Sequence, residues 1–291
     1  MRKVKAAFHE HLRTCSRITP DLVSRTLDKA RERLGPGGVF GVINFNSRTS
    51  EDPRWNQFAE HSINHGIKDF GNSLYFPAYD LLAIRGQEIP TQIGHLLAIC
   101  LPKGVNISHG LSFPYTVKQI NEAGGLAIVD HPFGKDGCGK RLQNFRESLE
   151  GVFGYEVFNA EVSPQSFGQA NRKAKNELVY INALKNKVLP IVSQDGHSLY
   201  EFARTHMAIF MPQSYSSFHG PNFSESVKNS LVDGVKLASI NRLESKKDRV
   251  SGTIGAVDHI ADLILLTALG KMGFDHNTQI APAFEKFGIY I

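Results

Sequence analysis

The stretch Lys3–Thr14, KVKAAFHEHLRT, joins a short apolar run to two histidines one residue apart. Val4 to Phe8 reads as a strand. Alternate side chains of a strand share a face, so His9 and His11 leave its C-terminal end pointing the same way. Paired imidazoles at the end of a first strand offer half of a metal site. The other half has to come from elsewhere in the chain.

Outward from that stretch, apolar β-rich runs alternate with helical patterns. Strands are expected over 4–8, 39–45, 81–85, 95–101, 126–129, 154–158, 188–192 and 206–211, with a further one over 235–240. The segment TPDLVSRTLDKARERLG carries Thr19 as N-cap, Pro20 at the first helical position and Gly35 at the end. Asp52, Pro53 and Gly66 repeat that grammar around a second helix, and 116–125 and 166–187 hold two more. This alternation predicts an α/β fold with a parallel sheet. Length and strand number favour a closed or nearly closed barrel over a two-domain dinucleotide-binding layout. No G-x-G-x-x-G follows the first strand and no Walker A sequence is present. GPGG, at 35–38, lies between a helix end and a strand start and reads as a plain turn. Residues 212–226 read as a surface loop, 256–273 as an amphipathic helix, and the stretch from about Gln213 as barrel completion or packing within one domain spanning 1–291.

The chain has 291 residues, 41% hydrophobic and 21% charged, which is ordinary globular composition. A net charge of +5 fits an anionic substrate. Cys15, Cys100 and Cys138 are odd in number and form no C-x-x-C pair, so a disulfide framework is not expected and the chain reads as cytoplasmic. There is no signal-peptide pattern, and no apolar run approaches the ~18 residues of a membrane span.

In parallel α/β barrels, functional groups collect at the C-terminal ends of strands. Besides His9 and His11, Glu88 follows one predicted strand and His95 opens another. Asp130 and His131 follow a third, Glu156 lies near the end of a fourth, and Asp195 and His197 stand just past a fifth. Imidazole and carboxylate donors suit zinc, manganese and iron. A carboxylate such as Glu88 can bridge two ions, and paired ions activate water and stabilise the oxygens of a phosphoryl displacement. The expected ligand set is His9, His11, Glu88, His95, His131, Asp195 and His197, with the last two also in catalytic roles. Glu156 is expected to orient a ligating histidine. Asp130 reads as a turn residue or a partner of the same orienting kind. Arg13, Arg17, Lys135 and Arg204 are candidate phosphate contacts, because guanidinium and ammonium groups pair with phosphate oxygens.

Five blocks together resemble the PHP family, named for its polymerase and histidinol phosphatase members. They are the H-x-H of FHEHLRT, the G-x-E and G-H-L-L of RGQEIPTQIGHLLAI, the G-G-x-A-x-x-x-H-P of GGLAIVDHP, the E-V-x-N of YEVFN and the S-x-D-x-H of SQDGHS, in the family's order over residues 4–200. The resemblance implies a distorted (β/α)7-type barrel with a metal-dependent phosphoesterase site at its mouth. It implies one ion at His9, His11, Glu88 and Asp195, and a second at Glu88, His95 and His131. His197 would belong to a third. Where the family has T-D-H after the second strand this chain has Ile43, Asn44 and Phe45, and where it often has an acid after the H-x-H block this chain has Ser16 and Arg17. Two divalent ions are therefore expected, of manganese, zinc or iron, with magnesium admitted. Arg17 could then replace part of the missing positive charge.

The expected function is hydrolysis of a phosphomonoester or phosphodiester (a nucleotide, a sugar phosphate or an oligonucleotide end). A small phosphorylated substrate is favoured, since no basic stripe with interleaved aromatics marks a nucleic-acid surface. Two other classes compete. One is an amidohydrolase-type C–N hydrolase, which also uses H-x-H and a late aspartate. The other is a non-catalytic metal-binding protein that kept the barrel.

Overall fold

Thr19 sets the first helix. Its hydroxyl accepts the Leu22 amide at 3.2 Å, Pro20 starts the helix, and Gly35, at φ 72°, closes it. The helix Pro20–Leu34 turns Leu22, Val23, Leu27, Ala30 and Leu34 inward. The structure is a computed structural model and describes residues 1–12, 18–45, 54–134, 136–143, 149–162, 168–183, 187–197, 199, 201–218 and 223–244. Arg13, Arg17, Lys135, Cys15, Asp52, Pro53 and the segment 256–273 lie outside the described residues.

Among the described residues, ten strands form one sheet: β1 (Arg2–Ala7), β2 (Gly38–Phe45), β3 (Lys68–Asp69), β4 (Ser73–Phe76), β5 (Leu81–Pro90), β6 (His95–Ile99), β7 (Leu126–Val129), β8 (Val152–Asn159), β9 (Leu189–Ser193) and β10 (Met207–Met211). Their order is β10-β1-β2-β5-β6-β7-β8-β9, with β4 paired to β5 and β3 to β4. Helices Arg54–Ser62, Phe113–Glu122, Gln169–Ala183 and Phe223–Glu244 accompany the strands, with a single turn at Gly139–Leu142. Strands β2, β5 and β7 are buried on both faces. In β2, Val39 and Ile43 join the larger apolar cluster, while Phe40 and Val42 join the smaller one beneath the first two helices.

The sheet is mixed, which corrects the expectation of a parallel one. β1–β2, β2–β5, β7–β8 and β8–β9 are parallel, whereas β5–β6, β6–β7 and β1–β10 are antiparallel. The reason is chain length. Only Thr91–Gly94 separates β5 from β6, and a parallel crossover needs a dozen residues or more. A second correction follows from the same hairpin. β5 runs on to Pro90, so Glu88 lies inside the strand rather than after it, paired with Leu97.

The sheet nearly closes into a barrel. Where β1 and β9 leave a gap, β10 fills the lower part by pairing with Arg2–Ala6. The upper part is joined by residues just past the two strands. Glu10 bridges Gly196, the His11 amide donates to the Gly196 carbonyl at 2.8 Å, and the Gly196 amide donates to the His9 carbonyl at 3.3 Å. The seam therefore closes through two of the histidine-bearing motifs.

Residues 235–240 are helical, not a strand. Val227, Leu231, Val235 and Ala238 are buried at helical spacing along Phe223–Glu244, while Leu237 is exposed. A six-residue apolar run carries no decisive period, and the longer register wins. The same helix takes up the end of the segment read as a loop over 212–226. No helix among the described residues is long and apolar enough to cross a membrane.

Gly234 seats this helix on β10, because a Cβ there would collide with the Phe210 carbonyl oxygen. Gly234→Ala is expected to lower stability by about 1–3 kcal/mol through overpacking. The check is urea denaturation: a lower midpoint at unchanged slope is expected, and an unchanged midpoint contradicts the seating.

Candidate metal centre

The ends of β1, β5, β6, β7, β8 and β9 place their polar residues around one buried volume. At the end of β1, the Nε2 atoms of His9 and His11 converge to 3.1 Å. A metal–nitrogen bond of about 2.0–2.1 Å brings tetrahedral neighbours to roughly this separation. Asp195 Oδ1 lies 3.3 Å from His9 Nε2 and 3.6 Å from His11 Nε2. Glu88 divides its carboxylate. Oε2 is 3.1 Å from His11 Nε2, while Oε1 is 2.5 Å from His95 Nδ1 and 3.3 Å from His131 Nε2.

Because β6 is antiparallel, its first residue, His95, comes to the same mouth as the last residues of the parallel strands. Asp130 leaves β7 fully buried, with Oδ1 3.2 Å from His9 Nδ1 and Oδ2 3.3 Å from His131 Nε2. Glu156 on β8 accepts His9 Nδ1 at 3.1 Å through Oε1, and its Oε2 accepts the His131 amide and Asn159 Nδ2 at 2.8 and 3.0 Å. This contact holds the ring by Nδ1 and leaves Nε2 facing the centre, the nitrogen that a neutral His9 would offer to a cation. Asn159 also donates to Asp195 Oδ2 at 3.2 Å, and Asn171 clamps the Asn159 backbone from both sides. Asp195 itself takes a left-handed φ of 60°, a costly conformation for a non-glycine residue that aims its carboxylate at the two histidines.

At the rim, the His197 ring lies 4.7 Å from that of His11, with Nδ1 2.9 Å from the Asp195 carbonyl and 3.3 Å from Glu161 Oε2. Phe45 meets His11 and His95 edge-on at 6.2 and 6.1 Å. Asn44 accepts the Trp55 amide at 3.1 Å at the start of the next helix. Arg204 sits in the turn after His197, its amide donating to Glu201. Of the four basic residues proposed for phosphate, it alone is described.

Burial and charge pull the cluster's protons in opposite directions. Burial disfavours the charged ring of His9, but Asp130, Asp195 and Glu156 outweigh it and raise its pKa well above the usual value. His131 is raised in the same way by Asp130 and Glu88. Burial takes His11 down to about 4. Burial also opposes ionisation of Glu88, yet hydrogen bonds from His11, His131 and His95 hold its pKa below the ordinary range. Burial pushes Asp130 up to about 8. Burial opposes the charge on His197 too, and Glu161 and Asp195 prevail, raising it to about 10.

These residues fit a divalent cation. Donor atoms of Glu88, His95, Asp130 and His131 lie within 4.8 Å of one another, as do those of His9, His11 and Asp195, and those of Glu161, Asp195 and His197. Nitrogen and oxygen donors suit zinc, manganese and iron. Both oxygens of Asp130 are buried and face only imidazole nitrogens, with no backbone or amide donor among the described residues, and a cation would take up this charge. The seven predicted ligands all face this one volume. Two acids add to this set. Asp130 stood next to a His-Pro pair and read as a turn residue or an orienting partner. Glu161 stood two residues past Asn159, where an acid after a strand was the only signal.

No family model matches the chain. An uncharacterised protein of Methanocaldococcus jannaschii is 40% identical over 77 residues, which are 26% of this chain and 41% of that protein. Among solved structures, the lesion-specific endonuclease Q of Pyrococcus furiosus aligns with a TM-score of 0.49 and 11% identity over 78% of this chain and 56% of its own. A protein of Bifidobacterium adolescentis, assigned provisionally as a metal-dependent phosphoesterase, aligns with a TM-score of 0.40 and 13% identity over 66% of this chain and 87% of its own. At these scores neither structure carries an argument about this chain, whose chemistry is read from its own residues.

A raised pKa means that His9 and His131 keep their extra proton at pH 7 in metal-free protein, whereas a ligating imidazole must be neutral. Cation uptake at pH 7 is therefore expected to release at least ~1 proton per chain, and affinity to fall as pH falls. Calorimetry in two buffers of different ionisation enthalpy measures this. Uptake with no proton release contradicts the charge state assigned here.

Proposed function

We propose that this chain is a metal-dependent phosphoric ester hydrolase of the PHP kind, using two divalent ions. The observation that carries the reading is the division of Glu88, whose two buried oxygens serve two different sets of histidines. His9, His11, Asp195 and Glu88 would hold one ion, and Glu88, His95 and His131 the other. Bound in this way, such ions lower the pKa of a water and neutralise charge on phosphoryl oxygens.

The remaining roles belong to side chains. Glu156 keeps His9 oriented through Nδ1. His197 stands half exposed at the mouth and holds its proton at neutral pH, so it can meet a phosphoryl oxygen or supply a proton to the leaving oxygen. Phe45, where a donor would complete a third position, instead walls the site with an apolar ring, which favours two ions over three.

A cavity of about 400 Å³ opens beside His95, between the 90–95 hairpin turn and the 132–141 loop. Phe133 and Ile93 line it with Lys140 and Arg141, a mix of apolar wall and positive charge that suits a small organic phosphate. Lys140 and Arg141 thus join Arg13, Arg17, Lys135 and Arg204 as proposed phosphate contacts. An oligonucleotide end offers the same chemistry and remains a second substrate class.

The test is phosphate release from a generic aryl phosphate, with chelator and with added manganese. Activity is expected to vanish with chelator, return with manganese and fall by about 100-fold or more in His9→Ala and Glu88→Ala. Glu156→Gln is expected to cost about 10–100-fold in metal affinity, since an amide has one acceptor oxygen where the carboxylate uses two. Bound metal with no turnover across a broad panel of phosphoesters overturns the hydrolase reading in favour of a non-catalytic barrel. Turnover of amides alone favours C–N hydrolysis.

A further inference from the structure

Asp130 and Glu156 are equally deep, yet they are built differently. Glu156 is saturated: one oxygen accepts the His131 amide and Asn159, and the other accepts His9. Asp130 is fully buried and neither oxygen accepts a hydrogen bond. A structural acid at this depth needs donors, and no backbone or amide group among the described residues supplies one; the nitrogens beside it belong to two imidazoles, and His9 Nδ1 already faces Glu156 Oε1 at 3.1 Å. Its Oδ2 lies 3.3 Å from Nε2 of His131, the same nitrogen that faces Glu88 Oε1 at 3.3 Å. Asp130 therefore points to the centre alongside that ring rather than behind it. The ring's other nitrogen, Nδ1, is buried without a partner, so no hydrogen bond from that side orients His131.

We infer that Asp130 is a direct ligand of the second ion, completing a four-residue set of Glu88, His95, Asp130 and His131. The inference rests on the metal-dependent reading of the same site and adds a donor that the sequence motifs do not contain. Two nitrogens and two oxygens on converging side chains make a set for a divalent ion of the manganese, iron or zinc kind. Without Asp130 the second position would keep only the shared carboxylate of Glu88. The other oxygen of Asp130 faces His9 Nδ1 at 3.2 Å, so the same side chain touches a residue of each ion's set.

The test uses the full chain, stripped with chelator, reloaded with Mn²⁺ and counted by elemental analysis, with affinities from competition against a chromophoric chelator. Wild type is expected to hold two ions. Asp130→Asn keeps size and shape and is expected to weaken one of them by at least about tenfold. Two backgrounds identify which. In His11→Ala, where the second position is the one left intact, adding Asp130→Asn is expected to remove the remaining ion. In His95→Ala, where the first is left intact, the ion is expected to stay. If Asp130 only orients His9, the pattern reverses, and the inference is overturned. It is overturned alone if wild type and Asp130→Asn both hold two ions with equal affinity. Wild type that takes up no metal overturns the hydrolase reading as well. Asp130→Ser is a second variant should the asparagine fail to fold, and circular dichroism of the stripped proteins establishes that each is folded.

Discussion

Buried carboxylates gathered around one group of histidines are the constraint to which the rest of this mouth answers. Ionised acids away from water cost several kcal/mol each unless positive charge or donors meet them. Glu88 shows the solution in miniature, with three histidines around one side chain and each oxygen committed to a different group. The strand ends, the 91–94 turn and the bent backbone at Asp195 all bring imidazole nitrogens or amide hydrogens within reach of these acids. Asp130 is met by imidazole nitrogens alone, those of His9 and His131, with no amide hydrogen among the described residues.

Precision at the centre comes from one layer further out. Asn159 holds Glu156 and Asp195 with a single amide, and Asn171 holds Asn159 by its backbone. Tolerating a left-handed Asp195 requires such support, because strain of about 1–3 kcal/mol persists only where surroundings over-determine it. The asparagine of the YEVFN block thus acts without facing a histidine at all.

Much of this was legible in the chain. Thr19, Pro20 and Gly35 mark a helix because their chemistry is local, and strand ends are visible because charged residues interrupt apolar runs there. Strand direction was not legible from alternation; it depended on the four residues between β5 and β6, too few for a crossover. Strands β3 and β4, two and four residues long, are too short to show a period. Residues 235–240 looked extended because six residues cannot separate a period of two from one of 3.6. Asn44 and Phe45, read as departures from the metal-binding pattern, lie in the fold against Trp55 and the histidine rings. The surroundings of Asp130, read as a turn residue or an orienting partner, and those of Glu161 were hidden for a different reason. They are made by residues distant in sequence, and no local pattern records them.

The seam between the first and ninth strands has a mechanical meaning. Its upper half is held by a few backbone bonds between His9, Glu10, His11 and Gly196. His9 and His11 stand on one lip and Asp195 on the other, so a cation shared by the three would act as a rivet across the opening. Occupancy and closure would then be a single equilibrium. Anything that draws the ion out would loosen the barrel along this line first, and anything that pries the lips apart would spill the ion.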